Sequence, residues 1–494
     1  MKHARKSLLT ILLAVVLLVL SGCNGPDSAD TTAPTADLTE AMREQYIQAA
    51  QYVSNAENFY ATITNQKNTT TDSYTFTETS LQEFSYLHYG TSYMLADLTE
   101  TYRVGNHTVS ITEHFDSGVC ALLIEGAGFV STLSCEEYVA RFAPLVLIDP
   151  DLYQNLSVNN ENGLTVLTFS EASAPESWTN IDQSCVISIT AQAHLNADGR
   201  LVESRYSITY RSGAAVIESN ITSSLNTDFV PTLQAFPDTA QFVQISDPDI
   251  PKFLEQACGY VLGASSVTSS FTETITSQAI GRQRIESTTL DLLLSDGDLM
   301  ARLQRNAQLI DYAQGGATTS LVQIEQFLNN AYAINKDGNY STSSAIDSAY
   351  MLTYCQDALV FPILLPQHIT GMTMTETDDT WVLNFDTTRA LSDILYANTC
   401  KTLNQNNPGF LDDLASSYAV NYTSGSLVLD KHTGLPLEAT LRYSGTHTIA
   451  GYAYELSYEL TQTYDLTSQT AYDAITGQPL EAPDAPSTET TGPA

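Results

Sequence analysis

Basic residues are scarce in this 494-residue chain: 20 Lys and Arg stand against 56 Asp and Glu, a formal net charge of −36. A surface of that sign repels phosphate backbones, which excludes nucleic acid as a partner. Beyond Leu20 no segment approaches the roughly 20 apolar residues that a membrane-crossing helix needs. Cysteine is sparse and never arranged as CxxC, and no histidine stands at ligand spacing beside it, so no zinc or redox motif is present. There is no HExxH, GxSxG, Walker or EF-hand pattern. Gly126-Ala127-Gly128 begins a glycine-rich pattern but runs into Ser131 and reads as a turn. The acidic groups at Asp247/Asp249, Asp296/Asp298 and Asp378/Asp379 lack the spacing of a calcium loop and also read as turns. Asp412 and Asp413 read as a solvated helix face, and Tyr452, Tyr454 and Tyr458 as sheet packing. No metal, cofactor or catalytic constellation is expected, and the chain is not expected to be an enzyme.

What is present begins at the amino terminus. Lys2, Arg5 and Lys6 precede a thirteen-residue apolar core, Leu8 to Leu20, then Ser21, Gly22 and Cys23. The core is short for a bilayer span and fits a signal peptide over residues 1–22. The run Leu20-Ser21-Gly22-Cys23 resembles the lipobox of bacterial lipoproteins. That resemblance implies that the signal is cut before Cys23 and that Cys23 is acylated, anchoring the protein to the outer face of the cell membrane. Position 24 is Asn, not the Asp that retains such proteins at an inner membrane. Residues 23–40, rich in Pro, Ser, Thr and Ala, read as a flexible tether.

The remainder repeats itself. Phe59 to Ile63 matches Phe271 to Ile275, each behind a Tyr-Val pair. Gly128-Phe129-Val130-Ser131-Thr132 matches Gly338-Asn339-Tyr340-Ser341-Thr342. Phe142-Ala143-Pro144-Leu145-Val146-Leu147 matches Val360-Phe361-Pro362-Ile363-Leu364-Leu365. Leu164 to Phe169 matches Thr380 to Phe385, and Leu195 to Leu201 matches Leu429 to Leu435. Five matches in one order predict a duplication, with domains at 41–240 and 247–470, a boundary over 236–250 and a disordered tail at 471–494.

Each half opens with a predicted helix, Thr39 to Ser54 and Pro251 to Leu262, with Thr39 and Asp249 as N-caps. Period-two strands follow, the clearest being a hairpin over Val186 to Tyr210 that turns at Asp198-Gly199. Short helices are expected within 135–148 and 344–365, and an insertion over 391–417 reads as helical. The six cysteines after Cys23 allow 15 pairings. They do not recur between the halves, so buried free thiols are expected.

The lipobox, opening helix, long antiparallel strands, mid-domain helix and Leu–turn–Gly–Leu hairpin together resemble bacterial lipoproteins of the LolA/LppX-like superfamily. That resemblance implies an α+β fold of two tandem domains, each a curved antiparallel half-barrel covered by helices, whose apolar cleft in some members carries lipid. Phe142, Leu145, Leu147, Phe361, Ile363 and Leu365 lie in the most apolar segments and are the candidate cleft residues. Packed over a curved sheet, these segments either act as lids on an apolar pocket or plug the core. Two readings follow: an anchored protein holding a lipid or acyl chain, or an interaction lipoprotein binding an envelope protein or glycan.

Overall fold

The long period-two runs of Thr, Ser, Tyr and branched apolar residues favour pleated sheet. The computed structural model describes residues 36–70, 75–89, 93–105, 107–172, 185–212, 215–295, 298–359, 364–403, 418–431, 433–466, 468–477 and 480. It contains two large, curved, open sheets with antiparallel pairing throughout except at short parallel contacts. The first holds β1 (Asn58–Thr70), β2 (Thr75–Tyr89), β3 (Tyr93–Val104), β4 (His107–Asp116), β5 (Val119–Ile124), β6 (Ala127–Thr132), β7 (Tyr153–Glu161), β8 (Leu164–Ala172), β9 (Val186–Leu195), β10 (Leu201–Ser212), β11 (Ala215–Asn226) and β12 (Val243–Gln244). The second holds β13 (Ser266–Ser277), β14 (Arg282–Ser295), β15 (Asp298–Asp311), β16 (Ala317–Leu328), β17 (Ala331–Lys336), β18 (Asn339–Ser343), β19 (Ile369–Glu376), β20 (Thr380–Thr387), β21 (Tyr418–Asp430), β22 (Pro436–Ile449) and β23 (Tyr452–Asp465).

Setting β12 aside, the two sheets have the same strand order. In each, the first six strands form a meander, the last five form another, and the eleventh strand pairs with the first. The sequence matches fall on equivalent elements: β1 with β13, β6 with β18, β8 with β20, and the β9–β10 turn with the β21–β22 turn. Both of those turns carry their expected glycine in the left-handed region, Gly199 at φ 75° and Gly434 at φ 77°, where a side chain would be strained.

Seven helices are described: α1 (Ala36–Ser54), α2 (Cys135–Ala140), α3 (Ala143–Val146), α4 (Ile250–Gly263), α5 (Ser348–Gln356), α6 (Arg389–Leu403) and α7 (Ser468–Thr476). Four sequence expectations need correction. The helix α1 starts at Ala36, inside the expected tether, because no proline or glycine follows Pro34 to stop it. Thr39 is therefore a helical residue and not a cap. Asp249 precedes α4 but makes no capping hydrogen bond; its carboxylate is used elsewhere, as described below. Residues after 470 are not all without structure. The helix α7 buries Ala471 and Ile475 fully against Leu293 on the outer face of the second sheet, and Gln326 donates to the Ile475 carbonyl at 2.8 Å.

The segment expected as a domain boundary is also ordered by packing. β12 pairs in parallel with β6, and Ile245, 4% exposed, bridges to Met372 on β19. The helix α4 then lies between the sheets. It touches β3 and β4 of the first and β19 and β22 of the second, which is why it is apolar around most of its circumference. A single apolar core accordingly runs from Tyr102, Val109, Ile111 and Leu122 of the first half through Leu254 and Val261 of α4 to Leu383 and Leu441 of the second.

Backbones meet closely at this seam. A Cβ on Gly263 would lie 2.4 Å from the Val104 carbonyl oxygen, and one on Gly105 2.4 Å from that of Gly263. Gly263→Ala must push the halves apart and is expected to cost about 1–3 kcal/mol, read as a lower urea midpoint at unchanged secondary structure.

Candidate functional site: the concave faces of the two sheets

In a period-two strand, alternate residues share one face, so the concave lining is read from the register. On β3 that face carries Met94, Ala96 and Leu98, then Glu100, then Tyr102 and Val104. The first three belong to the core under α1–α3, and the last two to the core around α4. A band of charge separates the two cores. Glu113, completely buried on β4, takes both Arg141 guanidinium nitrogens, at 2.8 and 3.1 Å, and also contacts Lys252 of α4. Arg141 reaches on to Asp249 at 2.5 Å. The carboxyls of Glu113 and Asp249 are held below their usual range by Arg141 first and Lys252 second, against the opposing effect of burial. A second bridge joins the halves nearby. Lys67 pairs with Glu78 at 3.0 Å and donates to the Tyr260 hydroxyl at 3.3 Å and the Thr433 carbonyl at 3.2 Å.

The first concave face is filled. Phe142, 5% exposed, stacks on Phe84 at 4.2 Å, and Tyr138 stacks on Phe115 at 4.3 Å. The segment carrying Phe142 is fixed to the sheet by its own carbonyls. Ser223 and Ser204 donate to the Leu145 and Val146 carbonyls, both at 2.6 Å. Tyr46 of α1 donates to the Ile148 carbonyl at 2.9 Å and accepts from the Ile148 amide at 2.6 Å. Leu145 and Leu147 are half-buried against the same core. Of the matching residues in the second half, Phe361 and Ile363 lie outside the described residues, while Leu365 is partly exposed just ahead of β19. Cys120, Cys258 and Cys355 are buried free thiols, as expected; burial pushes the Cys258 and Cys355 thiols up to about 12. Cys23 lies outside the described residues, as does the Cys400 side chain.

The second concave face differs. Its β13–β16 register is uninterrupted, so Phe271, Thr288, Arg305 and Gln323 form one cross-sheet row, and Glu273, Glu286, Ala307 and Leu321 the next. Where the first sheet has apolar Val109, Ile111, Leu122 and Ile124, fully or almost fully buried beneath α4, the same register positions here hold Leu321, Gln323, Ile334 and Lys336, the first three half-buried and the last exposed. Glu325 is buried and accepts from Tyr332 at 2.7 Å, Tyr354 at 2.9 Å and Gln323 at 2.6 Å. Glu286 pairs with Arg284 and accepts from Thr288 at 3.0 Å. Burial, and then the charge of Glu286 directly opposite, push the Glu273 carboxyl up. The Arg305 guanidinium lies over the Tyr354 ring, 5.5 Å from its centroid. Burial, with the Glu325 charge, pushes the Tyr354 hydroxyl up to about 12 against the opposing pull of Arg305.

None of these charged residues was singled out by sequence reasoning. A signal exists: Arg282, Arg284 and Glu286 alternate on one strand of an otherwise Thr- and Leu-rich sheet, which puts three charges on a single face. Among the described residues no group of His, Cys, Asp and Glu has metal-binding geometry, and no helix is long and apolar enough to cross a membrane.

No protein-family profile and no curated protein matches the chain. Solved structures with a similar chain trace include LprF from Mycobacterium bovis, 10% identical with a TM-score of 0.25, covering 44% of this chain and 92% of that one. MucB in complex with MucA is 10% identical with a TM-score of 0.18, covering 88% and 96%. A putative AttH from Nitrosomonas europaea is 8% identical with a TM-score of 0.13, covering 83% and 93%. Likeness at this level assigns neither activity nor ligand.

Proposed function

We propose that this chain is a lipid-anchored binding protein of the outer face of the cell membrane, and that its second concave face meets the ligand. The observation that carries this reading is the asymmetry between the duplicated faces. The first is packed by Phe142, Tyr138 and α4, whereas the second leaves Leu321, Gln323 and Ile334 half-buried and Lys336 exposed at the register positions that α4 covers in the first. A lipid in the first half would have to displace a stacked aromatic cluster. The interaction reading is therefore preferred over an acyl-chain carrier. The anchor rests on the lipobox at Cys23, and two or more acyl chains are needed for stable retention.

Two experiments bear on this reading. Cys23→Ser is expected to move nearly all of the protein from the membrane fraction to the soluble one; retention would overturn the anchor. A photo-crosslinking residue at Leu321, on the concave face, should give a discrete adduct in intact cells. The same residue at Val322, on the opposite face and 45% exposed, should not. Equal labelling from both positions, or none from Leu321, would overturn the placement of the ligand.

A further inference from the structure

Resting on that placement, we infer that the second concave face is a carboxylate-binding site, in which Arg305 receives a planar monoanionic group of a small polar molecule.

Arg305 and, at the end of its row beyond Gln323, the exposed Lys336 are the cations on this face without a carboxylate at ion-pair distance among the described residues, and Arg305 is the more buried of the two. Arg282 is matched to Asp311 at 3.1 Å and Arg284 to Glu286. Glu325, the carboxylate on the neighbouring strand, is instead satisfied by two tyrosines and a glutamine. Glu325 and Arg305 thus make no direct ion pair: Tyr354 donates its hydroxyl to the carboxylate and lies under the guanidinium. The guanidinium rests over Tyr354, an arrangement that fixes the plane of the fork and leaves donor edges for an incoming anion. Of its row neighbours, Gln323 keeps one amide N–H beyond its bond to Glu325, while the Thr288 hydroxyl, which donates to Glu286, offers only its oxygen as an acceptor.

The surrounding charge selects the kind of anion. Four carboxylates, Glu273, Glu286, Asp311 and Glu325, share the face with Arg282, Arg284, Arg305 and Lys336, of which Arg282 and Arg284 are already paired. A dianionic phosphate would meet repulsion that a monoanionic carboxylate largely avoids, and a carboxylate also matches the bidentate geometry of arginine. Glu273 sits in the adjoining row, opposite Glu286, where its carboxyl oxygens would accept from a hydroxyl or amide N–H on the body of the ligand. A carboxylate with amide or hydroxyl functions, such as the terminus of a short peptide or an acidic sugar, combines these features.

The test uses the whole protein after removal of its lipid, titrated calorimetrically with N-acetylalanine, with its carboxamide counterpart, and with inorganic phosphate. Binding of the acid in the millimolar range is expected, with at least tenfold weaker binding of the carboxamide and of phosphate. Arg305→Met should abolish binding of the acid. Arg305→Lys should weaken it about tenfold or more, because lysine keeps the charge but loses the fork. Urea midpoints of both variants show whether they fold, and if Arg305→Met does not, Arg305→Lys decides. Equal binding of acid and carboxamide, undiminished binding by a folded Arg305 variant, or no binding of the acid up to tens of millimolar would overturn the proposal. Such a result alongside a discrete Leu321 adduct would leave the binding face standing and remove only its carboxylate chemistry.

Discussion

Arg141→Met is expected to destabilise the protein by about 3–5 kcal/mol at pH 7, the cost of leaving one partner of a buried ion pair uncompensated. The partner is Glu113, whose side chain is completely shielded from solvent. Without Arg141 it keeps only Lys252 of α4, and Asp249 loses its 2.5 Å contact. The loss should fall on the joint between the halves, since Arg141 and Glu113 come from the first and Lys252 and Asp249 from the second. Urea unfolding followed by circular dichroism measures it. Adding Glu113→Gln to Arg141→Met should recover part of the loss, because the stranded charge is then gone. The pH dependence has a definite sign. Both carboxyls have folded-state values below those of the unfolded chain, so their contribution is present above about pH 4 and is lost as pH falls through the folded values. The gap between wild type and Arg141→Met should therefore narrow under acid. A gap of under 1 kcal/mol at pH 7 would mean that the cluster does not hold the halves together.

Phe142→Ala should cost a similar amount, about 3–5 kcal/mol, from lost burial and the cavity left behind. The ring lies between Phe84 and Tyr138, and its backbone neighbours are tied down by Ser204 and Ser223. The segment therefore cannot slump into the hole, which puts the cost toward the upper end. The same variant distinguishes a plug from a mobile lid. If Phe142 is a plug, the variant should gain binding of a small apolar probe such as benzene that the wild type lacks, detected as a rise in melting temperature with added benzene. If the wild type takes up benzene equally well, the first concave face is already open.

The duplication was legible because it depends on local patterns: turn glycines, period-two strands and the two Pro-containing apolar segments all recur. Each half could be outlined from its own residues for the same reason. What joins the halves was not legible. Asp249 looks like an N-cap in sequence, since an acidic residue before Ile250-Pro251 is the ordinary signal for one; only the arrival of Arg141, 108 residues away, redirects it. Likewise Glu78 and Glu113 look like solvated strand residues until α4 and the Thr433 turn close over them. The charged residues around Arg305 escaped notice because they are spread over four strands, β13 to β16, and acquire meaning only through register. The apolar segment around Phe142 stood out in the sequence, but lid and plug share one composition and differ only in what lies beneath.

The short parallel contact of β12 has a consequence for self-association. By joining β6 to β19 through Ile245 and Met372, it uses up one exposed margin of each sheet. The margins left over are β7 and β18, at opposite ends of the strand series. Among the described residues each presents unpaired backbone groups to which another copy could add, head to tail. The two strands are poor templates for such growth. β18 is five residues long, Asn339–Ser343, and entirely polar apart from the ring of Tyr340. β7 ends in Asn159, Asn160 and Glu161, all exposed. Short, hydrophilic margins of this kind oppose polymerisation, so the joint that makes two half-barrels one body also keeps neighbouring molecules separate.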